Sequence, residues 1–287
     1  MYFIMNITLR NGNLMPAIGL GTYKTRGYES VHSSLKAALS VGYKLIDTAA
    51  VYRNEADIAK AISELGVDRK ELFITSKLAP KDQGAEAARR AIQESLAKLN
   101  TDYLDLYLIH WPGVQKVDPQ DAQNREFRQQ SWKVLEEFHA RGVLKSIGVS
   151  NYEIGHLKDL LADCSTVPHV NQIEVHPHYQ QRDLVKFCRE NGIHVTAYSS
   201  LGTTVAVSPL LTDEKVLEIA KVKAKSPAQV LLKWGLKKGH SIIPKSTNPD
   251  HIRENFQLDF ELSESEMGEL DSLDRSVKYA WNANIVI

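Results

Sequence analysis

Cysteine is scarce in this chain of 287 residues. Cys164 and Cys188 are the two present, well separated and outside any C-x-x-C pair. That argues against a zinc ribbon, a redox dithiol and a disulfide framework. Two free thiols in a reducing compartment are expected. An excess of charge is also absent, with 35 Lys and Arg against 35 Asp and Glu. Nothing here forms the electrostatic footprint of a nucleic-acid or acidic-membrane partner, although a local site for one phosphate group is compatible with a neutral total. Long apolar runs are missing too. The N-terminal Met1-Tyr-Phe-Ile-Met lacks the basic start and length of a signal peptide, and no stretch approaches the roughly 20 apolar residues of a membrane span. No hydrophobic surface stripe stands out. A cytoplasmic monomer, with no membrane and no nucleic acid among its partners, is the expectation. The last absence is G-x-G-x-x-G: Gly19 and Gly21 are followed by Lys24, which removes the dinucleotide fingerprint of an open doubly wound sheet.

What is present is a repeated alternation of strand and helix. Ile7 to Met15 reads first as a β-hairpin, with Asn11-Gly12 as the favoured pair for a type I′ turn. Eight short apolar runs follow, beginning at Ile18, Lys44, Leu72, Leu104, Ser146, Val170, His194 and Ser241. Runs of this kind suit parallel strands buried on both faces. Amphipathic stretches lie between them. In Ala85 to Leu99, the residues Ala88, Ile92, Ser95, Leu96 and Leu99 share one face. Ser226-Pro227 and Asn248-Pro249 are N-cap and first-turn signals. Eight β/α units without an internal linker predict an α/β chain: a single (β/α)8 TIM barrel with an N-terminal β-hairpin, one domain over residues 1–287. About 250 residues is a normal length for that fold.

In such a barrel the active site lies at the C-terminal ends of the strands. The polar residues there are Asp47 with Tyr52 after strand two, Lys77, His110, Ser150-Asn151, then Asn171, Gln172 and Glu174. Tyr198-Ser-Ser and Pro244-Lys-Ser follow. An acid, a phenol, an amine and an imidazole would meet at one mouth. A free tyrosine, with a pKa of about 10, is a poor proton donor near neutrality. A lysine cation beside it would lower that value, and a carboxylate would keep the lysine in place and charged. The imidazole can orient a carbonyl oxygen. This set suits an oxyanion that forms as hydride reaches carbon. Side chains supply no hydride, so a nicotinamide cofactor is implied.

Over essentially its full length the sequence resembles the aldo-keto reductase family. Asp47-Thr-Ala-Ala-Val-Tyr-Arg-Asn-Glu resembles the family's D-T-A-x-x-Y-x-N-E motif. Leu104-Asp-Leu-Tyr-Leu-Ile-His-Trp-Pro resembles the segment of its catalytic histidine. Gly148-Val-Ser-Asn-Tyr, Asn171-Gln-Ile-Glu-Val-His-Pro and Ile243-Pro-Lys-Ser also match. The resemblance implies an NADPH-dependent oxidoreductase that reduces small aldehydes and activated ketones. Tyr52 would be the general acid/base, tuned by Lys77 and Asp47, with His110 orienting substrate. It implies a nicotinamide carboxamide held by Ser150, Asn151 and Gln172, and a ring stacked on Tyr198. Thr22, Tyr23 and Asp47 match further cofactor-contacting positions, and Ser199, Leu201 and Gly202 resemble the loop along the pyrophosphate. It also places the 2′-phosphate by Lys245 and Ser246, where a helix N-terminus is itself a phosphate site, and the adenine by Glu254 and Asn255.

Two departures stand out. The family's phosphate-clamping arginine, six residues after the lysine, is here His251, a weaker phosphate partner. The tail after Asp271-Ser-Leu is short, though it can bring Trp281 to the mouth beside Trp111, and Gly113 to Arg128 reads as a modest polar loop. An open site for a small carbonyl substrate is expected. His176-Pro-His178 with Glu174 has metal-ligand chemistry but no spaced third ligand, so no metal is expected. Gly148-Val-Ser-Asn-Tyr is not a G-x-S-x-G nucleophile turn. A Schiff-base role for Lys77 conflicts with Asp47 keeping it charged. A catalytically idle NADPH-binding or structural relative of the same fold is the alternative from a different class, and turnover separates the two.

Overall fold

Eight parallel strands form one sheet, in the order β10-β9-β8-β7-β6-β5-β4-β3, in a computed structural model of the chain. Residues 6–202 and 208–287 are described; the N-terminal Met1-Tyr-Phe-Ile-Met segment lies outside them. The chain starts with an antiparallel pair, β1 (Asn6–Thr8) and β2 (Leu14–Pro16). The first two barrel strands are β3 (Gly19–Gly21) and β4 (Leu45–Asp47), joined by α1 (Tyr28–Val41). Then come α2 (Glu55–Glu64), β5 (Phe73–Leu78), α3 (Ala85–Lys98) and β6 (Leu106–Ile109). The second half runs through α4 (Gln123–Ala140), β7 (Ile147–Ser150), α5 (Ile154–Asp163) and β8 (Val170–Glu174). It continues with α6 (Arg182–Glu190), β9 (His194–Tyr198), α7 (Glu214–Lys223) and α8 (Pro227–Lys237). It ends with β10 (Ser241–Ile242), α9 (Pro249–Phe256) and α10 (Glu264–Asp271). The sheet closes through a parallel bridge between Ile18 and Ile242. The Ile242 N–H donates to the Ala17 carbonyl at 2.8 Å, and the Gly21 N–H to the Pro244 carbonyl at 3.0 Å. This is the (β/α)8 TIM barrel with an N-terminal hairpin that the strand pattern predicts.

Two apolar clusters follow from the period of two along each strand. Leu20, Ile46, Ile74, Tyr107, Ile109, Val149, Ile173 and Ala197 belong to the large cluster shared with the helices. Leu45, Phe73, Leu106, Leu108 and Val170 belong to an inner cluster, together with Leu9 and Met15. The hairpin therefore plugs the lower end of the barrel with two side chains. Its turn differs from the expected type I′. Asn11 is absent from the positive-φ residues, while Gly12 has φ 86°. The Gly12 N–H donates to the Leu9 carbonyl at 2.8 Å, and the Leu9 N–H to that of Asn13 at 2.9 Å. This is a three-residue loop with glycine in the left-handed position. Asn11 and Asn13 gain by it, because both side chains donate to the Lys145 carbonyl at 3.0 and 2.8 Å.

The helix signals hold where caps are written into the sequence. Ser226 and Gln229 form a reciprocal capping box with Pro227 in the first turn, and Asn248 caps α9 by accepting from the Asp250 N–H. The segment read as a loop to Arg128 differs, since α4 already begins at Gln123. Its first turns, Gln-Asn-Arg-Glu-Phe-Arg, carry too few apolar residues to show a periodic face. Arg128 is buried and donates to the backbone oxygens of Pro112 and Ile287 at 3.2 and 2.6 Å. Both cysteines are free thiols. No described helix is long and apolar enough to cross a membrane.

Gly148 shows how closely the strands approach. A Cβ there would lie 2.4 Å from the Val170 carbonyl oxygen and 2.8 Å from a Leu108 methyl. Backbone cannot step aside as a flexible side chain can. Gly148→Ala is expected to lower the unfolding free energy by about 1–3 kcal/mol, measured as a lower urea midpoint. An unchanged midpoint would mean that β7 and β8 can part without cost.

Candidate active site

The same alternation that builds the core decides which polar residues reach the barrel interior. Asp47 stands two residues after Leu45, Lys77 four after Phe73, His110 two after Leu108 and Gln172 two after Val170, all inner-cluster positions. Their side chains thus share the inner face at its upper end. Asn171, one residue out of step, points the other way. Its amide donates to the Tyr152 carbonyl at 2.9 Å beneath the helices, so it does not join the mouth that its place near a strand end predicts.

Lys77 and Asp47 form the centre. Their side chains are 0% and 4% exposed, with Nζ 2.5 Å from Oδ1. A buried ion pair survives only if its remaining hydrogen-bonding capacity is met. Here Lys77 Nζ also donates to the Thr48 carbonyl at 2.8 Å, and Gln172 Nε2 donates to Asp47 Oδ2 at 2.7 Å. Thr22 closes over the same turn, its hydroxyl donating to the Asp47 carbonyl at 2.9 Å.

Tyr52 ends a 3-10 turn, Ala50–Tyr52. Its ring centroid is 5.3 Å from Lys77 Nζ, 5.7 Å from the His110 ring and 5.2 Å from the Tyr23 ring. The expected lowering of its pKa is not found. Burial and the Asp47 charge instead push the phenol well above its ordinary value. The physical reason is that the Lys77 cation is committed to Asp47 and the Thr48 carbonyl. Lys77 is itself pulled down by burial, with Asp47 opposing. Burial first, and then the Lys77 charge, pull His110 down to about 3. Its Nδ1 is buried without a hydrogen-bond partner among the described residues.

The other anticipated residues surround this centre. Ser150 Oγ donates to the Gln172 carbonyl at 2.9 Å. Asn151, in the left-handed region at φ 63°, donates to the His110 carbonyl and to Ser150 Oγ, both at 3.0 Å. It accepts from the Tyr198 hydroxyl at 2.6 Å, so one amide fixes the tyrosine and the backbone of the histidine. Ser199, Leu201 and Gly202 turn away after β9, with φ 50° at Ser199 and the Gly202 N–H bonded back to the Ser199 carbonyl at 2.7 Å. Lys245 and Ser246 follow β10, both half-buried, and Ser246 Oγ accepts from the Asn248 N–H at 3.1 Å. Burial and neighbouring Lys24 lower the Lys245 pKa. His251 is exposed on α9, Glu254 half-buried and Asn255 buried. Arg253 is held by Asp250 at 2.8 Å.

A cleft of about 970 Å³ opens above the centre, lined among others by Tyr23, Tyr52, His110, Trp111, Asn151 and Trp281. Trp281 meets Tyr23 edge to face, with centroids 5.6 Å apart. Asn54, within the Asp47-Thr-Ala-Ala-Val-Tyr-Arg-Asn-Glu motif, also contributes. Asn54 precedes α2, where asparagine is a favoured cap, yet its side chain makes no cap bond. It donates instead to the Thr22 and Thr25 carbonyls, both at 3.1 Å, and accepts from Thr48 Oγ1 at 2.7 Å. It thus ties the Tyr23 loop to the turn that carries Tyr52. Its type had signalled only a cap. His176 and His178 are engaged with Glu174 and Asp213, each at 3.0 Å.

With its pKa pulled down to about 3, His110 is expected to stay neutral in the free protein. Its ring 15N shifts, assigned by comparison with His110→Asn, should not move between about pH 5 and pH 8. A titration midpoint in that window would contradict the buried, lysine-facing setting.

Residues 17–275 match the model of the aldo/keto reductase family. The chain is 42% identical over 277 residues to glyoxal reductase of Bacillus subtilis, covering 96% of this chain and 95% of that one. It is 40% identical to morphine 6-dehydrogenase of Pseudomonas putida, covering 95% and 92%. Among solved structures, an aldo-keto reductase from a Medee basin deep-sea metagenome superposes with a TM-score of 0.90 at 35% identity, covering 97% and 98%. The aldose reductase of Schistosoma japonicum gives 0.86 at 37%, covering 96% and 93%. The chain therefore belongs to the aldo-keto reductase family of nicotinamide-dependent oxidoreductases, and is an enzyme that acts on carbonyl groups.

Proposed function

We propose that this protein is an NADPH-dependent reductase of small aldehydes and activated ketones, with Tyr52 as the proton donor. The observation that carries this reading is the packing of Tyr52 between His110 and Tyr23, with its ring 5.3 Å from the ammonium of a fully buried Lys77. A phenol whose pKa is raised holds its proton until a stronger base appears. The alkoxide formed at the carbonyl oxygen is such a base. Lys77, its ammonium 5.3 Å from the ring centroid, offsets the Asp47 charge that would otherwise oppose the phenolate left behind. A neutral His110 donates a hydrogen bond to the carbonyl oxygen and orients it without competing as an acid. The whole chain, 1–287, serves as one domain, since the site draws on strands from both halves.

The residues present suit the cofactor. Ser150, Asn151 and Gln172 offer amide and hydroxyl groups for a carboxamide, and Tyr198 offers a ring face fixed by Asn151. Lys245, whose pKa burial and neighbouring Lys24 lower, gains from an anion, as does the N-terminus of α9. Thr22, Tyr23, Ser199, Leu201 and Gly202 would contact the cofactor between the two ends, and Glu254 and Asn255, beyond Ser246 on α9, would meet the adenine. When bound, the reduced nicotinamide supplies the hydride for the carbonyl carbon. Exposed His251 stands where a phosphate clamp is useful, and an imidazole is a weaker phosphate partner than arginine, so the preference over NADH is narrow. The substrate enters beside Trp111 and Trp281.

Tyr52→Phe is expected to reduce kcat for an aldehyde by about 100-fold or more while NADPH binding, followed by fluorescence titration, stays within about two-fold. Activity close to that of the unaltered protein removes Tyr52 from the proton transfer. His251→Arg should tighten NADPH about ten-fold and leave NADH unchanged. Equal effects on both cofactors would mean that this side chain does not reach the 2′-phosphate.

A further inference from the structure

A second buried carboxylate lies at the top of the barrel and takes no part in the reaction proposed above. Glu174 ends β8 with its side chain 0% exposed. Burial alone drives such a group towards its neutral form, and only dense hydrogen bonding keeps it charged. Its partners come chiefly from one distant piece of chain. Oε1 accepts the Tyr279 N–H at 2.6 Å, and Oε2 accepts the Ala280 N–H at 3.1 Å. Lys278 Nζ is 3.4 Å from Oε2, and His176 Nε2 is 3.0 Å from Oε1. Burial acts to raise the Glu174 pKa, yet these contacts carry it below the ordinary value.

The histidines of the His176-Pro-His178 segment brace the same strap. The His176 ring stacks on Tyr279 at 5.1 Å and 27°. His178 Nδ1 is 2.8 Å from the Tyr279 hydroxyl, and its Nε2 is 3.0 Å from Asp213. The His178 carbonyl accepts the N–H groups of Arg275 and Val277, both at 3.1 Å. The strap from Arg275 to Ala280 is therefore fastened at both ends, and the next residue is Trp281.

Trp281 has little burial of its own to hold it, being 57% exposed. It touches Tyr23 edge to face, and Tyr23 in turn touches Tyr52. Its place at the cleft is therefore set by the strap before it and by the tail after it, where the Ile287 N–H donates to the Pro119 carbonyl at 3.0 Å.

We propose that Glu174 is a positioning residue for substrate selection: by holding the Tyr279 and Ala280 backbone, it sets Trp281 as a cleft wall that favours aromatic carbonyl substrates. The proposal rests on the reductase reading above for the substrate, but not for the anchoring. The aromatic ring of a substrate gains a Tyr23–Trp281 surface, whereas a short alkyl aldehyde gains almost none.

The test has a physical and a kinetic readout. Time-resolved fluorescence anisotropy of Trp281, isolated as the difference between each protein and its Trp281→Phe counterpart, needs neither cofactor nor turnover. Glu174→Ala should add a fast local depolarisation that Glu174→Gln, which keeps an acceptor oxygen, restores in part. Ala280→Pro removes one strap donor without altering a barrel strand, and serves if Glu174→Ala fails to fold. With NADPH, the KM for benzaldehyde should rise about five-fold, the size of one lost aromatic contact, and that for propanal by less than about two-fold. Glu174→Ala and Trp281→Ala should not add in the benzaldehyde KM. Unchanged anisotropy in both Glu174→Ala and Ala280→Pro overturns the anchoring. An equal KM rise for both aldehydes overturns the selective wall. If the unaltered protein reduces neither aldehyde, the reductase reading fails instead, and the anisotropy still decides the anchoring.

Discussion

At the mouth of this barrel, the side chains are arranged around a charge pair that water does not reach. Removing a lysine and an aspartate from solvent costs several kcal/mol per ion, so the pair persists only with good geometry and all remaining capacity met. Asp47 and Lys77 meet most of that demand through three other residues. Thr48 accepts the second lysine proton, Gln172 donates to the second carboxylate oxygen, and Thr22 covers the Asp47 carbonyl. Deleting either partner leaves an uncompensated buried charge, worth about 3–5 kcal/mol. The strands that carry these groups are thereby locked in register near the site.

That arrangement also explains why Tyr52 differs from the simple picture of a lysine-acidified phenol. The lysine charge is already neutralised, and the nearest net influence on the phenol is burial reinforced by Asp47. The outcome is a protonated tyrosine and a neutral histidine side by side, a donor and an orienting group. Asn54 and Asn151 secure the two. Asn54 gives up a cap bond to bind the Tyr23 loop to the Tyr52 turn, and Asn151 ties the His110 backbone to Tyr198. Loops bring function to the surface of a rigid scaffold, and here single amides tie parts of those loops to one another and to the strand ends.

The two ends of the barrel are finished by segments outside the repeating units. The hairpin seals the bottom with Leu9 and Met15. The strap after α10 crosses the top and brings Trp281 to the cleft. Both work by satisfying buried demands of the barrel itself, apolar below and ionic at Glu174 above.

Much was legible in the residues. All eight strands, the caps at Ser226 and Asn248, and the inward set Asp47, Lys77, His110 and Gln172 follow from local pattern, because side-chain direction in a strand has a strict period of two. The same rule, applied fully, excludes Asn171. The turn type at Asn11-Gly12 was not legible, because a dipeptide suits more than one loop length and the ties of Asn11 and Asn13 to Lys145 select between them. The start of α4 at Gln123 was not legible either, for want of an apolar stripe. The amino-acid sequence by itself determined the barrel and the identity of the groups that face its mouth. The tertiary structure alone decided the direction of the Tyr52 pKa, the diversion of Asn54 from its helix and the fastening of the tail to Glu174. Each of these depends on burial and on partners far away in the chain, which no local pattern encodes.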